Sequence, residues 1–306
     1  MSNFVSYKNG NYTCFIDLDN GTKIRKNNLD FFEAESPESI DCKITNSCDR
    51  GCVMCHENSV PNGKHADIMN AKFFESMHPY TEIAIGGGNP LEHPDLEEFL
   101  YRCKELKLIP SMTVHQYHFL KSLDFFRKLR DNKLIYGIGV SVSHVTDELI
   151  EALQEFPTAV VHLIAGCASE SIINRLKNHN LKILILGYKY FRRGIDHYDM
   201  NSSNIDFLIQ YMYDLLPEMI EKEWFNTISF DNLAIEQLNV KRLMSEEEWN
   251  EFYMGDDGTM TFYVDLVNEE FGVSSTAEKR FPLMDNIVDM FSIVKEEKKK
   301  NDQERA

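Results

Sequence analysis

From Ser39 onward the chain repeats one pattern: a short apolar run, a turn, then a stretch with helical spacing. Strands are predicted at 39–46, 81–87, 110–116, 135–142, 159–165, 181–188 and 227–233. Helices are predicted near 70–77, 93–107, 118–131, 145–155, 169–180 and 202–223. Leu96, Phe99, Leu100 and Cys103 have the spacing of one helical face, with Pro94 just inside its start. Strands that alternate with helices pair in parallel, because each crossover helix returns the chain to the same end of the sheet. The number of repeats, six or so, suggests an α/β fold of the partial (β/α)6 barrel type.

Both ends differ from this pattern. Phe15 to Ile24 alternates and is broken by Asn20-Gly21, a strong hairpin signal. Thr261 to Val273 alternates in a similar way. Two β-hairpins are therefore expected to flank the barrel and to pair into a small accessory sheet. The expected division is an N-terminal hairpin extension over 1–38, the barrel over 39–235, and a C-terminal extension over 236–306. The tail from Lys295 to Ala306 is charged and polar, and is read as a fraying helix end or a disordered segment.

Composition narrows the setting. The 306 residues suffice for one large barrel or two ordinary domains. No apolar run reaches the roughly 18–20 residues that span a bilayer. The first residues lack the charged and then apolar layout of a signal peptide. Seven cysteines, an odd number without a regular framework, fit reduced thiols in the cytoplasm. A net charge of −17 argues against nonspecific nucleic-acid binding, which needs a basic surface. The clusters Lys189, Arg192, Arg193 and Lys241, Arg242 read as solvated surface charge.

Two motifs carry chemistry. Cys48-Asp-Arg-Gly-Cys52-Val-Met-Cys55 follows the first barrel strand. Three thiolates on one short loop can hold three irons of a [4Fe–4S] cube and leave the fourth open to a small molecule. Structural zinc wants four ligands, and only His56 and His65 stand near to supply the fourth. A disulfide does not suit so long and disulfide-poor a chain. After the next strand comes Gly86-Gly-Gly-Asn-Pro90. Glycines there let backbone groups approach a ligand closely.

This spacing of cysteines resembles the signature of radical S-adenosylmethionine (SAM) enzymes, a likeness that covers residues 39–235. It implies a [4Fe–4S] cluster on Cys48, Cys52 and Cys55, with SAM on the open iron. The segment Gly86, Gly87, Gly88, Asn89 and Pro90 resembles the family's Gly-Gly-Glu-Pro, which binds the amino group of SAM. Asn89 replaces the acid, losing a charge and keeping an acceptor. Met54 stands where the family often has an aromatic residue near the adenine. Ser141 and Ser143 are candidates for the SAM ribose or carboxylate, against a reading as ordinary strand-end caps. Gly166 resembles, loosely, the adenine-contacting segment.

Ligands of such barrels gather at the C-terminal strand ends. That rule places His115 and Gln116 at the site. His115 is the candidate acid or base, its pKa lying near neutrality, with a structural capping histidine as the other reading. Glu92 and His93 shape the site or cap the next helix. His56, Glu57 and His65 shield the cluster or touch substrate. Cys14, Cys42 and Cys103 read as core, and Cys167 as an inert thiol.

The activity implied is reductive cleavage of SAM to a 5′-deoxyadenosyl radical that takes hydrogen from a small-molecule or nucleotide-like substrate. The electron comes from a flavodoxin- or ferredoxin-like partner. A glycyl-radical activase or another protein or peptide modifier is the alternative. A non-catalytic iron–sulfur protein is the alternative of another class, and it would need no glycine platform. Cys167 is the last cysteine, which disfavours subfamilies with auxiliary clusters.

Overall fold

Three strands open the chain: β1 (Phe4–Asn9), β2 (Tyr12–Asp17) and β3 (Lys23–Lys26). They form an antiparallel sheet in the order β1-β2-β3, and the expected Asn20-Gly21 hairpin joins β2 to β3 with Phe15 opposite Ile24. The computed structural model describes residues 3–29, 31–253 and 255–305.

All seven predicted barrel strands are present. They are β4 (Ser39–Thr45), β5 (Glu82–Gly87), β6 (Ile109–His115), β7 (Gly137–Ser141), β8 (Ala159–Ile164), β9 (Lys182–Leu186) and β10 (Thr227–Phe230). Each pairs in parallel with the next in chain order. Right-handed crossovers in a sheet wound in one direction carry every connecting helix to the same face.

Those helices are α1 (Leu96–Glu105), α2 (Gln116–Lys121), α3 (Leu123–Asp131), α4 (Asp147–Glu155), α5 (Glu170–Leu176) and the long α6 (Arg193–Glu221). Glu97 and Glu98 in the first turn of α1, and Arg102 and Lys104 in its last, suit the helix dipole. The predicted helix near 70–77 is only a 3-10 turn, Lys72–Ser76. Its Phe73 and Phe74 are buried as the pattern asked, but the segment is too short to close an α-helical turn series. The segment expected as one helix over 118–131 is split at Ser122. α6 starts nine residues earlier than expected, with a kink at Asn201.

The two faces of this sheet differ. Ile40, Cys42, Ile44, Ile83, Ile85, Met112, Val114, Ile138, Val140, Val161, Leu163, Ile183 and Ile185 all point to the helix side and are buried. The opposite face carries Asp41, Gly86, Ser111, Thr113, Gly139, Ser141, His162 and Ser229. A parallel sheet is normally apolar on both faces. Polar and small residues over most of one face, with Val160, Ile164, Leu184 and Leu186 among them, are the pattern of a face left open to a cavity rather than packed on a second core.

The C-terminal part adds α7 (Asn232–Gln237), α8 (Glu246–Phe252), β11 (Thr261–Asp265), β12 (Glu270–Gly272), β13 (Phe281–Pro282) and α9 (Ile287–Arg305). The expected hairpin is β11–β12. It does not pair with the N-terminal hairpin as expected. Instead β11 runs parallel to β4, extending the main sheet to ten strands in the order β10-β9-β8-β7-β6-β5-β4-β11-β12-β13. The physical reason lies in composition: Phe262 and Val264 are apolar and fit beside Ile40 and Cys42, while Tyr263 and Asp265 carry polar groups to the cavity side. The N-terminal sheet is held to the strand bottoms by charge. Buried Glu38 accepts hydrogen bonds from Tyr12 and Arg25 and lies 3.3 Å from Lys23 Nζ.

The tail is more ordered than its composition suggested. α9 is helical throughout its described length, with Val294 and Glu297 buried and Lys295 Nζ donating to Ala34 O at 2.8 Å. Ala306 lies outside the described residues. No helix among them is long and apolar enough to cross a membrane.

Candidate functional site

The cysteine loop leaves the C-terminal end of β4 and folds back on itself. Val60 N donates to Asn46 O and Cys48 N to Val60 O, each at 3.0 Å, which closes the loop at its neck. Gly51, at φ +59°, makes the left-handed turn between Cys48 and Cys52. Cys55 N donates to Cys52 O at 3.2 Å, a tight turn that brings the third thiol round. All three thiols are half-buried, whereas Cys14, Cys42 and Cys103 lie in the core.

The electrostatics of the thiols are set by burial and by one another, against the cations nearby. Burial pushes the Cys48 thiol up, a backbone hydrogen bond at Arg50 opposes it, and the Cys52 and Cys55 thiols push it further up. Burial pushes Cys52 up too, as does Cys55, while Arg50 and Arg193 pull it down. Three soft donors close enough that burial and their neighbours raise two of them, Cys48 and Cys52, are a set that a cationic iron–sulfur centre would satisfy. The sulfurs therefore fit the cluster that the spacing implies.

The glycine turn is fastened to this loop by backbone contacts. Gly88 N donates to Thr45 O at 2.8 Å and Asn89 N to Ser47 O at 2.7 Å. A Cβ on Gly88 would lie 2.1 Å from Ser47 O, and one on Gly87, at φ +105°, 2.4 Å from Thr45 O. Gly86 is different: a Cβ there would meet nothing within 4 Å. Two glycines thus serve the strand-to-loop contact, and the third opens onto the cavity. Asn89 is buried and capping: its Oδ1 accepts from Leu91 N at 3.3 Å and its Nδ2 donates to Glu92 Oε1 at 3.2 Å. Pro90 starts the 3-10 turn that follows. Glu92 also accepts a hydrogen bond from the Ser47 hydroxyl, so an acid does stand at this turn, three residues later than the resemblance implied.

Other predicted residues fall at several depths. Met54 is half-buried, its carbonyl beside the start of α6. Ser141 faces the cavity between His115 and His162, its partners in register. Ser143 is exposed, its N–H donating to Gln116 Oε1 at 2.7 Å. Gly166 is buried beneath Tyr188 and Ile205, where a Cβ would come within 2.8 Å of both. His115 caps α2, its Nδ1 accepting from Tyr117 N at 3.2 Å, and Nε2 lies 3.4 Å from Ser143 Oγ. Burial, with the nearby Arg50 charge, pushes its pKa down to about 4. His115 therefore stands neutral at the rim, with Nδ1 engaged as the cap and Nε2 within reach of Ser143. Cys167 is raised to about 11, by burial first and then by Cys52, which sets it on the side facing the cysteine loop. His93 is buried and bonded to Ala66 O at 2.9 Å, and His65 to Thr45 Oγ1 at 2.9 Å.

Sequence reasoning missed the charged network behind the loop. Lys43, 2% exposed at its side chain, lies 3.1 Å from both Glu57 and Asp265. Tyr263 Oη donates to Glu57 at 3.0 Å, and Arg192 Nη1 to the Glu57 carbonyl at 3.1 Å. His56 Nε2 lies 3.3 Å from both Glu57 Oε1 and Lys189 Nζ. Burial alone would raise the Glu57 pKa; the His56 hydrogen bond and the His56 and Lys43 charges hold it well below the usual carboxylate range. Lys189, Arg192 and Arg193 are thus inward-facing cations that brace the cysteine loop, not the solvated surface cluster expected. Arg193 Nη2 donates to Ser59 O at 2.6 Å. The signal available in the sequence was a lysine in the middle of an apolar strand.

A second brace comes from α2. Buried His118 bonds Asp49 at 2.7 Å, next to Cys48, and the Arg50 guanidinium lies 4.5 Å over the Tyr117 ring. Asp49, Glu92 and His118 bring their polar atoms within 4.8 Å of one another. Asp41, on the cavity face of β4, is exposed and yet has its pKa raised to about 6, by burial first and by Asp257, Asp231 and Glu57 against Lys189. Both hold together for a group facing a hollow inside the protein. A separate cavity of about 580 Å³ lies at the opposite strand ends, lined by Asn20, Glu82, Ser111, Tyr136 and Lys182, far along the strands from the cysteines.

No protein-family model matches the chain, and no curated relative does. Solved structures of Streptococcus suis SuiB do. SuiB bound to the precursor peptide SuiA aligns at TM-score 0.53 with 13% identity, over 88% of this chain and 81% of that one. SuiB bound to S-adenosylmethionine aligns at TM-score 0.52 with 14% identity, over 89% and 81%. The chain has the α/β fold of SuiB, in agreement with the resemblance to radical SAM enzymes carried by Cys48, Cys52 and Cys55.

Proposed function

We propose that this chain is a radical SAM enzyme whose partial barrel, residues 39–235, holds the reaction, with 1–38 and 236–306 as extensions. The observation that carries this is the convergence of three half-buried thiols beside a glycine turn whose Gly86 opens onto a polar cavity. Cys48, Cys52 and Cys55 would hold a [4Fe–4S] cluster, with SAM against Gly86. When bound, the pair supplies a 5′-deoxyadenosyl radical able to take a hydrogen atom from a substrate.

The chain's own groups do the rest. Gly87 and Gly88 lock the turn to the cysteine loop through Thr45 and Ser47. Lys43, Glu57 and Arg192 hold the far side of that loop, so the donors are set before any ligand arrives. Ser141, in register with His115 and His162, offers a hydroxyl to SAM or substrate. The helix-covered outer face keeps water away on one side and leaves the polar face for binding. An external one-electron donor of the flavodoxin or ferredoxin kind is required.

The substrate is a polar molecule that enters the hollow. A peptide is favoured over a free small molecule by one observation: SuiB, with the same fold, has been seen bound to a precursor peptide. The test is dithionite-reduced, anaerobically reconstituted protein with SAM, followed by chromatography for 5′-deoxyadenosine. Slow formation without substrate is expected. Protein that holds four irons yet neither binds nor cleaves SAM would instead be a non-catalytic iron–sulfur protein.

The glycines separate two functions. Gly86→Val is expected to leave the cluster absorbance intact and to weaken SAM binding by at least about tenfold, since the side chain fills the ligand space. Gly88→Ala is expected to lower cluster occupancy itself, because its Cβ would strike Ser47 O. Equal SAM affinity for Gly86→Val and the unmodified protein would remove the placement of SAM against Gly86.

A further inference from the structure

His162 lies on β8, on the polar cavity face, in register with Ser141 and Leu184. Its ring leans one row down the sheet, over Gly139. A Cβ on Gly139 would lie 2.4 Å from His162 Cε1, 2.6 Å from Nε2 and 2.7 Å from Thr113 Oγ1. The imidazole of one strand and the hydroxyl of another thus meet over a residue with no side chain. Among the described residues, neither side chain has a hydrogen bond or an ion pair.

That is unusual for polar groups at the centre of a sheet. Both residues are half-buried, so their polar atoms are open to the hollow and to whatever fills it. A space-filling role does not require an imidazole: Leu184 and Ile164 hold neighbouring inward positions on the same face. Burial alone pushes the His162 pKa down, to about 4, and no charged side chain contributes. The pair therefore offers a neutral donor and acceptor set, with no counter-charge for an ion.

We propose that His162 and Thr113, over Gly139, form a substrate subsite on the cavity floor that receives a neutral hydrogen-bonding group of the amide, carbonyl or hydroxyl class. It rests on the radical SAM reading for its place beneath the cofactor. It also separates the polar hollow into two parts: a charged wall at Asp41 and Lys189, and this uncharged floor.

The experiment uses reconstituted holoenzyme in the oxidised cluster state with SAM bound, carrying ¹⁵N-histidine. The His162 signals are assigned with His162→Gln. N-methylacetamide, acetate and methylammonium are titrated in turn as probes. N-methylacetamide is expected to shift the His162 nitrogens saturably, while acetate and methylammonium do not. Thr113→Val is expected to weaken the N-methylacetamide response by about three- to tenfold, the value of one neutral hydrogen bond. Gly139→Ala is expected to abolish it by filling the floor. No saturable shift with the amide, or an equal shift with either ion, would overturn the subsite. So would Thr113→Val responding like the unmodified protein, which covers the case that Gly139→Ala does not fold. Uncoupled 5′-deoxyadenosine formation in the same samples reports separately on the enzyme reading. A His162→Gln variant that no longer binds SAM would overturn the subsite and assign the residue to the cofactor instead.

Discussion

Each of Cys48→Ala, Cys52→Ala and Cys55→Ala is expected to drop bound iron from about four per chain to background and to abolish 5′-deoxyadenosine formation. The loop supplies three sulfurs and no spare. Cys14, Cys42 and Cys103 are enclosed in the core and cannot reach the site without unfolding it. Loss of one thiolate leaves two irons without a protein ligand, too few to retain the cube. Cys103→Ala is the control for a cysteine outside the site, and Cys167→Ala for the one thiol on the loop-facing side. Both should keep their iron. Counting iron and acid-labile sulfide after anaerobic reconstitution decides the matter. A full complement in any of the first three variants would show that its cysteine is not a ligand.

The second large effect belongs to a residue with no role in the chemistry. Lys43→Met is expected to destabilise the protein by about 3–5 kcal/mol, because it leaves Asp265 a buried charge without its cation and takes from Glu57 the nearer of its two, Arg192 lying at 3.8 Å. A melting temperature lower by roughly 5–15 °C follows for a chain of this size. The pH dependence has a definite sign. The folded Glu57 pKa lies below its ordinary value of 4.5, so its contribution is fully present above pH 4.5 and is lost as pH falls through the folded value. The gap in melting temperature between Lys43→Met and the unmodified protein should therefore be widest near neutral pH and shrink in acid. Lys72→Met is the contrast. Its pair with Asp285 is exposed on both sides, and its loss should cost under about 1 kcal/mol. Equal losses for the two variants would mean that the Lys43 network carries no special weight. Because the network also holds the cysteine loop through Glu57, Lys43→Met should lose its cluster at a lower temperature than it loses helical circular dichroism.

The placement of the seven parallel strands was legible in the chain because it depends on local pattern. Apolar residues at every second position, from Ile40 to Ile185, mark the face that helices cover. The cysteine spacing was legible for a related reason: three ligands within eight residues form a site whose geometry is nearly local. The β2–β3 hairpin likewise followed from Asn20-Gly21, where the turn itself dictates the pairing.

Tertiary structure decided what depends on residues far apart. The pairing of β11 with β4 joins positions more than two hundred residues apart, and alternation alone gives no partner for a strand. Lys189, Arg192 and Arg193 look like a surface cluster in sequence; only the return of α6 to the cysteine loop turns them inward. The role of each glycine in Gly86 to Gly88 was equally hidden, since it depends on which backbone atom of β4 lies where a Cβ would go. His162 and Thr113 show the limit most plainly. Their spacing along the chain says nothing, and their meeting over Gly139 exists only because two parallel strands lie in register on either side of β7. Local periodicity and short-range ligand spacing are written in the sequence because their energies are settled within a few residues. Which polar groups are paired, which are braced and which are left for a ligand is set by long-range packing.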